Sequence, residues 1–236
     1  MVISVSLVKS LKLVNMKSLL LVFALFAVIL GAKCEENELN KDFAEFAELI
    51  PIDEVTAITD RYLQNEDFVR VIIFVLYDDV FKQVVNNMEQ LPEFMEMIKY
   101  LEDSGMAAYA YLDDLNASVG LPPVIRPDGN KNLAIRGDVD MVVKCRDEVR
   151  GVLPQDEITA LHQKKLVESP VFKYLADRLE SEELEVIMKN LYATDTYQNN
   201  YQICLDNGLE WVDNYAFYLE IFGFRDIKAL EYLKRK

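Results

Sequence analysis

His162 is the only histidine in the chain, so chemistry that needs two imidazoles, whether a histidine-rich metal site or a histidine pair for proton transfer, is unavailable. It reads as a surface or boundary side chain. The acids Asp53-Glu54 and Asp156-Glu157 are the next candidates, since neighbouring carboxylates can act as acid and base. Each pair follows a proline, Pro51 or Pro154, at an expected helix start, where carboxylates cap the helix and favour its positive end. Cys34, Cys145 and Cys204 have no adjacent histidine to form a thiolate pair. Nucleophile elbow, phosphate loop, dinucleotide glycine fingerprint and HExxH motif are all missing from the sequence. The pattern argues against an enzyme, and implies neither a metal nor a cofactor.

The 236 residues are 51% hydrophobic with 8 Gly and 7 Pro, enough to bury a substantial core. Lys9, Lys12 and Lys17 precede the apolar run LLLVFALFAVIL, then Gly31 and Ala32. Residues 1–32 therefore read as a secretory signal peptide, with an uncleaved anchor as the alternative; the run is short of the roughly 20 residues a span needs. Export brings an oxidising compartment, and there Cys145 and Cys204 are candidates for a disulfide that leaves Cys34 over. The formal net charge of −15 disfavours phosphate backbones and anionic surfaces, so no nucleic-acid partner is expected.

The elements that would position these residues are written twice. Ile50 to Leu121 aligns with Leu153 to Phe224 without a gap, matching Pro51, Asp53 and Glu54 to Pro154, Asp156 and Glu157. Asp103 and Gly105 match Asp206 and Gly208, and Gly120 matches Gly223. The division is repeat 1 over 42–121, a Pro-rich linker over 122–137, repeat 2 over 138–224 and a tail over 225–236, the repeats forming one domain.

Each repeat reads as short helices. Asp42, Asp53, Asn65 and Asp78 or Asp79 are expected caps, Pro92 an expected first-turn residue, and Gly105 and Gly120 expected exits. VRVIIFVLY, over 69–77, suits a buried strand as well as a helix. Its counterpart FKYLADRLE has helical spacing and decides for helix. Phe74 and Val75 then lie on a face that is polar in the second copy, covered by the linker or the other repeat, or else exposed for a membrane or partner. The sequon Asn116-Ala117-Ser118 can carry a glycan if that helix end is exposed.

Apolar residues are in surplus. In repeat 1 they are Ile72, Leu76, Phe81, Val84, Val85 and Met88, then Phe94, Met97, Ile98, Leu101, Leu112 and Leu115. In repeat 2 they are Leu175, Leu179, Leu184, Ile187, Met188 and Leu191, with Tyr201, Tyr215 and Tyr218. The pattern alone predicts a filled helical core.

DFAEFAELIPIDEVTAITDRYL, then FKQVV, LPEFMEMIKYLEDSGMAAYAYLDDLNASVGLPP and the weaker second copy resemble the insect allergen-related repeat family. That resemblance, over about residues 42–224, implies an all-α fold of about twelve short amphipathic helices enclosing one large hydrophobic cavity. The apolar residues just named would line it. It further implies a secreted midgut protein, in the lumen or at the microvillar membrane, holding fatty acids or phospholipid acyl chains and exchanging membrane lipid. A nitrile-specifier type of detoxification protein and a microvillar interaction protein are the alternatives within the same resemblance. Thr194, Gln198 and Asn199 depart from the apolar pattern and are expected to narrow or wet the cavity.

Overall fold

The computed structural model describes residues 38–121, 139–225 and 227–230. The leader, Cys34, the linker and residues 231–236 lie outside them. Twelve helices account for most of the described chain. The first repeat holds α1 Glu38–Leu49, α2 Ile52–Tyr62, α3 Glu66–Tyr77, α4 Asp79–Glu89, α5 Pro92–Asp103 and α6 Ala108–Val119. The second holds α7 Val139–Val152, α8 Gln155–Glu168, α9 Pro170–Leu179, α10 Glu182–Tyr192, α11 Asp195–Asp206 and α12 Trp211–Ile221. A further helical turn follows at 228–230.

The boundaries follow local chemistry. Asn65 caps α3 by accepting from the Asp67 and Phe68 amides, and Ser169 and Thr194 cap α9 and α11. Asp78 caps α4, and Ser181 at the matching place caps α10. Pro51 and Pro154 are the N-cap residues of α2 and α8, with ψ 78° in both. Two expected caps are therefore corrected. Asp53, like Glu54, sits inside the first turn of α2, helping by charge and not by capping. Asp42 lies within α1 and is buried, because α1 begins earlier, at Glu38. The four repeat glycines adopt left-handed backbone, Gly105 and Gly208 at φ 94° and 84°, Gly120 and Gly223 at φ 76° and 78°.

The principal packings between repeats come in exchanged pairs. Helix α1 packs on α8 as α7 packs on α2; α1 meets α9 as α7 meets α3; α4 meets α11 as α10 meets α5. Since each pair interchanges equivalent helices, the repeats meet across an approximate two-fold axis, as partners do in a self-complementary dimer. The α3 face is settled by this packing. Phe74 and Val75 are buried in a cluster that includes Val142 and Cys145 of α7, so the exposed apolar patch considered for them is not there. Ile227 and Leu230 of the tail are buried as well. Among the described residues, no helix is long and apolar enough to cross a membrane.

Candidate functional site

Apolar side chains gather in two clusters. Ile72, Leu76, Phe81, Val84 and Val85 lie in one, with Cys145 and Cys204. Met88, Ile98, Leu101 and Leu112 lie in the other, with Leu175, Leu179, Leu184, Ile187, Met188 and Leu191. Phe94, Met97, Tyr201 and Tyr215 are half-buried against this second cluster, while Leu115 touches both.

A small apolar cavity opens where α1, α9 and the end of α12 converge. Its walls are Phe43, Met106, Leu175, Leu179, Tyr218, Leu219, Phe222 and Phe224, drawn from both repeats. The free room is about 10 Å³, near that of a single water-sized sphere. The large chamber implied by the family resemblance is not found at this place, because the side chains fill the space. Leu175, Leu179 and Tyr218 are the expected lining residues that reach it. Phe222 and Phe224 escaped the sequence reading, although they flank the repeated Gly223, which was the available signal. Thr194 and Gln198, expected to narrow or wet the cavity, instead cap α11 and bond the Tyr192 carbonyl, and Asn199 is exposed.

Aromatic rings back the cavity walls Phe43, Phe222 and Phe224. Phe172 stacks between Phe46 and Phe224, with centroids 5.6 and 5.2 Å away, and Phe43 lies 4.6 Å from Phe222. Such pairs contribute about 0.5–1.5 kcal/mol each beyond burial. His162 does not line the cavity but packs against its wall residue Phe224, and it is buried and not a surface residue. Its ring meets Phe172 and Phe224 edge-on, and its Nδ1 donates to the Phe222 carbonyl at 2.7 Å. A buried imidazole N–H needs such an acceptor, and the Phe222 carbonyl supplies it.

Polar groups hold the rim between the repeats. Lys165 Nζ donates to Asp42 Oδ1 at 2.7 Å and Glu45 Oε1 at 2.5 Å, and Ser169 donates to Asp42 Oδ2 at 2.5 Å. Burial alone would lower the lysine pKa; the bonds to the two carboxylates outweigh it and leave it raised. At the two-fold-related place Tyr62 donates to Glu148 at 2.7 Å, with Arg61 on the same carboxylate. Elsewhere, burial raises the Glu210 carboxyl, with Tyr201 donating to it at 2.8 Å.

Two further expectations are corrected. Cys145 and Cys204 are free, buried thiols on α7 and α11, packed as small apolar side chains. Burial pushes the Cys145 thiol up to about 12 and raises Cys204 further. Spacing and compartment suggested the pair, but neither fixes the geometry a disulfide requires. Asn116 is 1% exposed and its Nδ2 donates to Glu89 at 2.7 Å, so the sequon nitrogen is enclosed and bonded in this fold. Among the described residues no group of three or more His, Cys, Asp or Glu is placed to hold a metal.

Paired helical repeats around a shared apolar interior define a class of duplicated all-α proteins, and comparison supplies the family. Residues 38–213 match the family model described as insect allergen related repeat, nitrile-specifier detoxification, and the chain belongs to that family. It is also similar to Protein G12 of Anopheles gambiae, 24% identical over 162 residues that cover 69% of this chain and 76% of that protein.

Proposed function

We propose that this chain is a secreted, non-catalytic carrier of apolar ligands, the acyl chains of fatty acids or phospholipids, working in the insect midgut lumen or at the microvillar surface. The observation that carries the reading is the convergence of both repeats on one apolar cavity, bounded on one side by a glycine-jointed turn. The driving force is transfer of acyl methylenes out of water, about 0.8 kcal/mol for each one buried. Loading expands a cavity of about 10 Å³, so wall side chains must part as the ligand enters. Exchange of lipid with a membrane surface is the natural use of such a site.

The test is lipid identification by mass spectrometry on an organic extract of the secreted protein, followed by displacement of a fluorescent fatty acid with oleate. Stoichiometric acyl lipid and competitive displacement support the carrier. An empty extract with no oleate uptake removes it. The family description favours one second reading, a detoxification protein that redirects glucosinolate breakdown beside a myrosinase. A changed product profile on adding this protein to myrosinase and a glucosinolate would select that reading.

A further inference from the structure

Both repeats end their sixth helix in the same backbone device. The Leu121 amide reaches back over Gly120 to the Asn116 carbonyl at 2.7 Å, and the Phe224 amide reaches over Gly223 to the Leu219 carbonyl at 3.0 Å. What surrounds the two turns differs. At Gly120 an added Cβ would meet nothing within 4 Å. At Gly223 it would meet His162 Cβ at 2.6 Å, so this turn lies flat against α8. The residue at the His162 position in repeat 1 is Thr59, whose hydroxyl bonds back to Val55 and Thr56 of its own helix and holds no turn.

In a duplicated unit, what recurs is architecture, and a contact present in one copy alone calls for its own explanation. Here that contact secures the two cavity walls that flank a left-handed glycine. We propose that the Phe222–Gly223–Phe224 turn is the movable wall of the apolar cavity and that His162 is its latch, the turn swinging about Gly223 to admit an alkyl chain. The proposal rests on the carrier reading.

The latch has identifiable parts. His162 Nδ1 carries a proton, because the Phe222 carbonyl can only accept. Phe224 packs against both His162, in an edge-to-face contact, and Phe172, in a stack. Arg225 adds a side-chain bond to Gln155 at the start of α8. Rotation about Gly223 breaks the Phe224 amide bond to Leu219, so exchange of that amide with solvent reports the opening directly. The body of α12 keeps its own hydrogen bonds.

The experiment uses the full secreted chain, with cis-parinaric acid as the probe. His162→Leu keeps bulk and removes the donor; His162→Asn places an amide donor near the Nδ1 position. Loss of one such hydrogen bond is worth on the order of tenfold in the opening equilibrium. His162→Leu is expected to speed Phe224 amide exchange and probe entry by about that factor, with wild-type capacity, and His162→Asn to restore both. If the Leu variant does not fold, Gly223→Ala is measured in its place, since its Cβ drives the turn off His162 and should produce the same local rise. Phe224 exchange unchanged from wild type, or raised equally throughout the molecule, overturns the latch. A local rise in exchange in a protein that takes up no probe keeps the latch and removes the carrier reading instead.

Discussion

Lys165 and Tyr62 occupy the same place in the two repeats, and each reaches across to the equivalent carboxylate of the other, Lys165 to Glu45 and Tyr62 to Glu148. One two-fold relation is thus kept with a buried lysine as the donor on one side and, on the other, a neutral tyrosine beside the more exposed Arg61–Glu148 ion pair. The lysine side is the more demanding arrangement, because Asp42 and Lys165 side chains are only 9% and 8% exposed. Lys165→Met leaves the Asp42 carboxylate buried with Ser169 alone, a loss of about 3–5 kcal/mol in urea unfolding. Replacing both residues, Asp42→Leu with Lys165→Met, should recover most of it, since well-packed apolar pairs replace buried ion pairs at little cost. The pH dependence has a defined sign. The lysine pKa is raised from 10.5 in the fold, so its contribution is complete below that value and fades as pH climbs through the higher folded one. A wild-type advantage over the Met variant that already disappears by pH 8 would contradict this assignment.

Glu89 offers a stabilising substitution. Its half-buried carboxylate accepts from Asn116 Nδ2, while Asn116 Oδ1 is buried without a partner. Glu89→Gln keeps the acceptor and adds a donor for that orphan oxygen, so a gain of about 1 kcal/mol is expected at neutral pH. Burial raises the Glu89 pKa above 4.5, the Asn116 bond opposes this, and the nearby Asp113 charge adds to it. A raised carboxyl favours the fold fully below its unfolded value and loses that contribution as pH rises through the folded one. The Gln advantage should therefore shrink on acidification and vanish below about pH 4.5. Denaturant midpoints across this range would expose a constant or reversed difference.

The sequon at Asn116 should stay bare. With Nδ2 bonded to Glu89 and the residue 1% exposed, a glycan cannot be accommodated once the fold has formed. Intact mass of protein secreted from a glycosylating host is expected to match the unmodified chain, and Ser118→Ala to leave electrophoretic mobility unaltered. A glycan-sized mass increment would mean that attachment outruns folding and that α6 tolerates opening.

The repeat was legible because recurrence is a stronger signal than any single window. Pro51 with Pro154 and the glycine pairs gave helix starts and exits, and FKYLADRLE resolved an apolar run that is ambiguous alone. The all-helical class followed and is present in the structure. Facing was harder to read. Burial of His162 depends on where the Phe222 carbonyl arrives from 60 residues later, and burial of Asn116 on Glu89 two helices earlier. Periodicity places a residue on a helix but says nothing of its long-range partner. The cavity walls were partly missed for the same reason: Phe222 and Phe224 lie beyond α12, in a turn without helical period.

Cys145 and Cys204 test packing without perturbing charge. Both sit at 0% exposure in one apolar cluster, and burial raises both thiol pKa values, with the Arg61 charge only partly offsetting the rise at Cys145. A thiol reacts through its thiolate, so both should be inert at neutral pH on two counts, access and ionisation. In Cys34→Ser protein, a chromogenic disulfide reagent is expected to label nothing in the native state and both thiols after denaturation without reductant. Reductant should leave the melting temperature unchanged, whereas a bridge between α7 and α11 would contribute about 2–4 kcal/mol that reduction removes. Unreactive thiols after unfolding would establish the bridge that export chemistry suggested. Rapid native labelling would instead mean that the apolar cluster holding Cys145 of α7 and Cys204 of α11 opens on the labelling timescale, so that the second repeat loosens there as well as at the Gly223 turn.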